Sequence, residues 1–261
     1  MIDTHCHLDS PAFDGDRDVV LARARAAGVT DMVVPAVEPG GWERLVAFGA
    51  DHPGVHVALG IHPQALPGMD PAGDDRHLAD LEALLARGGA VAVGECGLDG
   101  LIAGAGAPLD RQRAVLRGQL IIARRLGLPV LLHSLRAHEA MREELERDGV
   151  PSGGILHSFS GSSEQVPAFA ALGLHFSFAG PVTYEGTRKP VAAARAVSPD
   201  RLLVETDAPD QSPRPHRGTR NEPARLPLVL EAVAHAVGTS PGELDRLTSG
   251  NARRLLRLPP G

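Results

Sequence analysis

Eight short apolar runs, most of them followed by helix-like sequence, constrain this 261-residue chain more than any other feature. The runs fall at residues 2–8, 31–37, 55–62, 90–95, 130–133, 154–158, 174–178 and 202–207. Helical sequence is expected between them at 16–27, 41–50, 76–86, 110–126, 136–146, from Ser162 and at 189–197, with two more helices at 222–237 and from Ser240. The punctuation agrees. Asp16 stands where an N-cap belongs and Gly28 and Gly127 where helices stop, while Ser162-x-x-Gln165 and Ser240-Pro241-Gly242-Glu243 have capping-box spacing. Strands separated by helices pair in parallel, with the helices packed outside. Eight such units predict an α/β fold, a (β/α)8 TIM barrel in a single domain over residues 1–261, and a doubly wound open sheet is the structural alternative. Neither a repeat nor a linker interrupts the pattern.

Composition narrows the function classes. Hydrophobic residues make up 43% of the chain, charged residues 22% and aromatics 3%, so a sizeable Ala/Val/Leu core is expected and disorder is not. A formal charge of −6 gives no long-range pull on polyanions, which argues against a basic-groove nucleic-acid binder. Cys6 and Cys96 are too few for a disulfide framework, and no apolar run reaches the ~18 residues of a membrane span. The expectation is a cytoplasmic protein with no signal peptide, no membrane association and no obligate protein partner.

The chemistry gathers at the strand ends. His5 and His7, one residue apart on a strand, would face the same side and offer half a metal site. Later strands end at His62, Glu95, His133, His157 and Asp207. Any one of them alone reads better as a polar cap, but independent caps have no reason to recur at equivalent strand ends. In a barrel these ends meet at the C-terminal mouth, and N and O donors without a thiolate suit zinc, manganese or magnesium. Lys189 is the only lysine, which confines Schiff-base or carboxylated-lysine chemistry to one position. Cys6 and Cys96 neighbour site residues and should face the other way, as small packing groups.

With these motifs in view, the chain resembles the TatD-type metal-dependent deoxyribonucleases and related hydrolases of the amidohydrolase superfamily. The resemblance spans nearly the whole chain. It rests on Ile2-Asp3-Thr4-His5-Cys6-His7, Gly60-Ile61-His62-Pro63, Gly94-Glu95-Cys96-Gly97-Leu98-Asp99, Leu132-His133-Ser134, His157-Ser158-Phe159-Ser160-Gly161 and Glu205-Thr206-Asp207-Ala208-Pro209. Gln112, Gln119, Asn221-x-Pro223 and Asn251-Ala252-Arg253-Arg254-Leu255 match secondarily.

The resemblance implies a TIM-barrel phosphodiesterase with two divalent ions, one on His5, His7, Glu95 and Asp207, the other on Glu95, His133 and His157. Glu95 would bridge them, in keeping with the lack of a fourth-strand lysine. Asp207 is assigned as ligand and as proton acceptor for the attacking water. Glu205, of the same strand parity, either orients a ligand histidine or pairs with an arginine. His62 is expected against a substrate phosphate, and Asp99 either pairs with a ligand or opens a loop.

Arg136, Arg214 and Arg217 are the arginines expected near phosphate, because a guanidinium grips it with two donors. Departures from the family pattern are Leu135, where arginine is common, and a Gly/Ala run at 100–107 without the usual aromatic. Trp42, Tyr184 and Phe159 are the few candidates for stacking on bases. The resulting expectation is a DNase with little sequence preference, acting on DNA or another phosphodiester. The alternatives are an ester, lactone or amide hydrolase on the same barrel, and a non-catalytic metal-binding protein.

Overall fold

Side chains that alternate between two apolar layers, strand after strand, give this molecule its shape. The computed structural model describes residues 1–150 and 152–259. Its strands are β1 (Ile2–Asp3), β2 (Asp31–Pro35), β3 (Val55–Leu59), β4 (Ala90–Asp99), β5 (Val130–Leu135), β6 (Gly154–Leu156), β7 (Leu174–Phe178) and β8 (Leu202–Val204), all parallel and hydrogen-bonded in chain order. Seven helices link them in turn: α1 (Arg17–Ala26), α2 (Trp42–Asp51), α3 (Asp74–Ala86), α4 (Leu109–Leu126), α5 (His138–Asp148), α6 (Val166–Ala171) and α7 (Lys189–Ala196). Two more, α8 (Leu226–Val237) and α9 (Pro241–Leu256), follow β8. The eight-stranded barrel expected from the sequence is the fold observed, and the open sheet is excluded by its seam. There Thr4 N–H donates to Val204 O at 3.3 Å, Asp207 N–H to His5 O at 2.9 Å, and His7 N–H to Ala208 O at 2.6 Å.

The alternation sorts residues cleanly. Val33, Ala58, Ala92, Leu131, Ile155 and Leu203 fill the barrel, which is plugged at its base by Ala252 and Leu256 of α9 and by Leu258. Their strand neighbours Met32, Val34, Val57, Leu59, Val93, Leu132 and Leu156 pack outward against the helices, as do Cys6 and Cys96. Two residues above the interior positions Leu131 and Ile155 come His133 and His157, so the same parity that fills the barrel points these imidazoles into its mouth. At the base, Asp31 joins His56 at 2.9 Å and Arg253 at 2.8 Å, which ties β2, β3 and α9 together.

Of the eight strands β7 alone keeps the bounds read from the sequence: β1, β2, β3, β6 and β8 stop short, which leaves His62 and His157 beyond their strands as well, and β4 and β5 run on. β1 and β8 stop at Asp3 and Val204, short of the residues that were read as their ends, so His5, His7 and Asp207 sit on the chain leaving the sheet. Strand alternation is therefore not what pairs His5 with His7. β4 instead runs four residues past Glu95, and a register shift between Val93 and Cys96 turns Glu95 inward out of phase with Ala92. Both capping boxes are present; the one at Ser162 opens a 3-10 turn at Ser163–Gln165 that leads into α6. Among the described residues no helix is long and apolar enough to cross a membrane.

Helix α4 holds two strand exits with a pair of buried glutamines seven residues apart on one face. Gln119 accepts the Ile61 N–H at 2.8 Å and donates to the Ile61 carbonyl at 3.1 Å. Gln112 does the same for Asp99, at 2.7 and 3.0 Å. Each amide satisfies a backbone donor and acceptor that the sheet has ceased to pair, directly beside His62 in one case and at the end of β4 in the other.

Candidate metal centre

Backbone strain marks the mouth first. Ser158 and Asp207 have φ of 40° and 56°, and Gln211 has 50°, a left-handed conformation that costs a non-glycine residue about 1–2 kcal/mol. Gly97 (φ 150°) leaves room for the His133 carbonyl, which would lie 2.0 Å from an added Cβ. These bends bring His5, His7, Glu95, His133, His157 and Asp207 to one point at the C-terminal end of the barrel.

Glu95 is its centre, 1% exposed, with its two oxygens facing different partners. Oε2 lies 3.2 Å from His5 Nε2 and 3.5 Å from His7 Nε2. Oε1 lies 3.1 Å from His133 Nδ1 and 2.9 Å from His157 Nε2. On the first side His5 and His7 Nε2 are 3.2 Å apart, and Asp207 Oδ1 is 3.5 Å from His5 and 3.9 Å from His7. A tetrahedral ion that holds N and O donors at about 2.1 Å spaces them about 3.4 Å apart, so these edges match such a cage. The buried Oε2 has no hydrogen-bond donor, although two imidazole nitrogens face it. A cation between them would satisfy all three atoms, and the residues present fit a metal on both sides of the carboxylate.

The electrostatics point the same way. Burial works against the Glu95 carboxylate, yet His62, His157, His5 and the hydrogen bond to His133 outweigh it and hold Glu95 well below the usual carboxylate range. Burial likewise opposes charge on His157, but Glu95 and Glu205 raise it well above the usual imidazole value. Burial and the neighbouring His157 instead hold the His5 imidazole below its usual value, so it stands neutral beside an ionised Glu95, the form in which both donors bind a cation.

Two carboxylates and an amide stand behind the cluster. Glu205 Oε1 lies 3.3 Å from His157 Nδ1 and accepts the Ser158 N–H at 2.6 Å, so it faces a histidine and not an arginine. Asp99 is more than a loop opener: its Oδ2 is 3.6 Å from His133 Nε2 and accepts from Gln64 at 2.8 Å. Gln211 donates to Asp207 Oδ2 and accepts from Ser158 Oγ.

His62 Nε2 is 3.0 Å from Glu95 Oε1, and distance alone would admit it to a metal set with Glu95 and His133. Its other nitrogen decides otherwise. Nδ1 accepts the Gln64 N–H at 3.0 Å, so a neutral ring must carry its proton on Nε2, which makes His62 a donor into the site.

The cavity above the cluster has a volume of about 820 Å³. Arg136, Arg214 and Arg217 do not line it. Arg136 is exposed in a left-handed turn (φ 51°) after β5, and Leu135 takes the lining position. Arg214 pairs with Glu185, and the Arg217 guanidinium lies 4.5 Å over the Tyr184 ring. These arginines fasten the 210–221 loop to the protein. The lining cations are Arg44 and Lys189, which the sequence reading did not single out as ligand contacts; their positions in the first turns of α2 and α7, the helices that follow β2 and β7, were the available signal.

The aromatic candidates are also committed elsewhere. Trp42 is buried with its indole N–H on Gly60 O at 2.9 Å, the Tyr184 hydroxyl donates to Ser212 O at 3.1 Å, and Phe159 sits edge-on to Phe169 and Phe176.

Comparison with known proteins agrees with this geometry. Residues 2–257 match the family described as TatD related DNase. A relative from Escherichia coli (strain K12), named an uncharacterized metal-dependent hydrolase YjjV, is 36% identical over 99% of this chain and 98% of its own length. One from Cronobacter sakazakii, named a 3'-5' ssDNA/RNA exonuclease TatD, is 37% identical over 98% of this chain and 97% of its own. The crystal structure of the TatD homologue YjjV from Escherichia coli K12 superposes with a TM-score of 0.92 at 35% identity, covering 99% of this chain and 98% of that one.

Proposed function

Because this chain belongs to the family of TatD-related DNases and is a metal-dependent hydrolase, we propose that it cleaves phosphodiester bonds, most readily in DNA, with two divalent ions at its centre. The observation that carries the reading is the division of labour at Glu95, whose Oε2 faces His5, His7 and Asp207 while Oε1 faces His133 and His157. One carboxylate placed between two donor sets supports a bridged pair, and no lysine is available for the role. Zinc, manganese or magnesium suits the donors, and a bound pair would supply Lewis acidity and neutralise charge on a phosphate.

The chain's own residues do the rest. Asp207, with Oδ2 steadied by Gln211, accepts the proton of the attacking water. His62 donates from Nε2 to a phosphate oxygen, held in that tautomer by the Gln64 N–H. Glu205 and Asp99 hold His157 and His133 in orientation. The two buried free thiols, Cys6 and Cys96, suit a reduced cytoplasm.

A second reading keeps the centre but takes a small ester or lactone. It is favoured by the lack, among the described residues, of an accessible aromatic platform, since Trp42, Tyr184 and Phe159 are all engaged. The two separate experimentally. Metal is stripped with a chelator, Mg, Mn and Zn are restored in turn, and single- and double-stranded DNA are assayed beside a panel of esters and lactones. DNA cleavage that follows the metal and disappears in Glu95→Ala supports the first reading. Turnover of esters alone supports the second.

A further inference from the structure

The wall of the cavity is divided by charge. Beyond His133 and His157, the exits of β5, β6 and β7 contribute Ser134, Leu135, Ser160 and Thr187 with no carboxylate and one cation, Lys189. The exits of β1, β2 and β8 contribute Asp9, Glu38 and Asp210 to the opposite side, with Arg44 as the one cation there. Arg44 is outnumbered there by three carboxylates, so that side carries net negative charge.

Lys189 has no such counterweight. It is exposed and enters no ion pair among the described residues, whereas Arg214 on the neighbouring loop is paired with Glu185. Behind it, burial and the Lys189 charge hold the His138 imidazole down at about 4, so that ring is neutral near pH 7. His138 Nε2 is 3.4 Å from Ser160 Oγ. Among the described residues, the one full side-chain charge on this wall at neutral pH, apart from the histidines of the centre itself, is therefore an unpaired ammonium.

We propose that Lys189 binds a phosphate flanking the one at the metal centre, so that a substrate with more than one phosphate extends along the β5–β7 wall. The opposite wall, with three carboxylates, turns the same polyanion away. This rests on the phosphodiesterase reading and adds a direction to it: phosphate is accepted on one side of the scissile bond only. The scissile phosphate itself stays with the centre and His62.

The test compares three dinucleotides on the metal-reconstituted protein: TpT, its 5′-phosphorylated form and its 3′-phosphorylated form. The wild type is expected to prefer one phosphorylated form over TpT, with the other end giving no gain. Lys189→Gln should cut that preference about fivefold, the scale of one solvent-exposed charge contact, through KM and not kcat. Lys189→Arg should restore it. An unchanged preference in Lys189→Gln overturns the proposal, as does an equal gain from a phosphate at either end.

Calorimetric titration of the same dinucleotides into the metal-loaded protein gives a readout independent of turnover. If the wild type hydrolyses none of them, the phosphodiesterase reading fails. The Lys189 assignment is then still decided by whether one added phosphate tightens binding and Lys189→Gln abolishes the gain; binding indifferent to the added phosphate sinks it.

Discussion

Gln119→Leu removes one of the two amide clamps on α4 at nearly constant volume. Gln119 is fully buried and Ile61 is 1% exposed, so the freed Ile61 N–H and carbonyl have no route to water. Two orphaned backbone groups at about 2 kcal/mol each, less about 1 kcal/mol regained by the apolar side chain, leave a net loss of about 3 kcal/mol. For a chain of this size each kcal/mol lowers Tm by about 2 °C, so the expected shift is about 6 °C. Scanning calorimetry of the two proteins at pH 7 measures it. Because His62 follows Ile61 directly, kcat/KM should also fall. A Tm within about 1 °C of the parent would mean that the clamp adds nothing the sheet does not already supply, and the hydrogen-bond accounting would be refuted.

Three further outcomes follow from the geometry. Asp207→Asn removes the proton acceptor but keeps an oxygen donor, so kcat should drop by about 10²-fold or more with metal retained; near-normal turnover at full metal content, read by elemental analysis, would end that assignment. Glu205→Gln, which weakens the partner of His157, should cost about 10- to 100-fold in affinity for a restored ion, measured by competition with a chelating dye. At the barrel base, burial opposes the Asp31 carboxylate but hydrogen bonds from His56 and Thr30 and the Arg253 charge hold its pKa at about 2, against 3.8 unperturbed. A depressed folded pKa stabilises above the unfolded value and is lost as pH falls through the folded one. Asp31 should therefore contribute about 2 kcal/mol above pH 4 that disappears toward pH 2, and in Asp31→Asn the unfolding free energy should change less across that window.

The barrel and most of its centre were legible because both are periodic. Apolar runs of fixed length alternate with capped helices, and His133 and His157 stand two residues beyond interior positions of their strands, where parity alone predicts their direction. Glu95 broke that rule, since a bulge inside β4 sets its direction and nothing in local hydrophobicity announces a bulge. His5 and His7 were paired for the wrong reason: they meet beyond the end of β1, through hydrogen bonds to the segment after β8.

Substrate contacts were least legible. Arg136, Arg214 and Arg217 looked suitable by position, but long side chains in loops find the nearest carboxylate or ring, and sequence does not show which is nearest. Lys189 and Arg44 reach the cavity from segments whose composition is unremarked, and Asp99 became a partner of His133 only because β4 continues to it.

The seam between β8 and β1 also sets when this catalyst can exist. The segment carrying His5 and His7 is made before the rest of the centre, and although Cys6 N–H reaches Val33 O on β2, its ties to Val204, Asp207 and Ala208 wait until β8 and its exit have been made. A growing chain on the ribosome thus holds an open ring whose donors have no fixed spacing. Hydrolytic power arrives only after the β8 exit has emerged, and fragments from translation interrupted before that point are born inert.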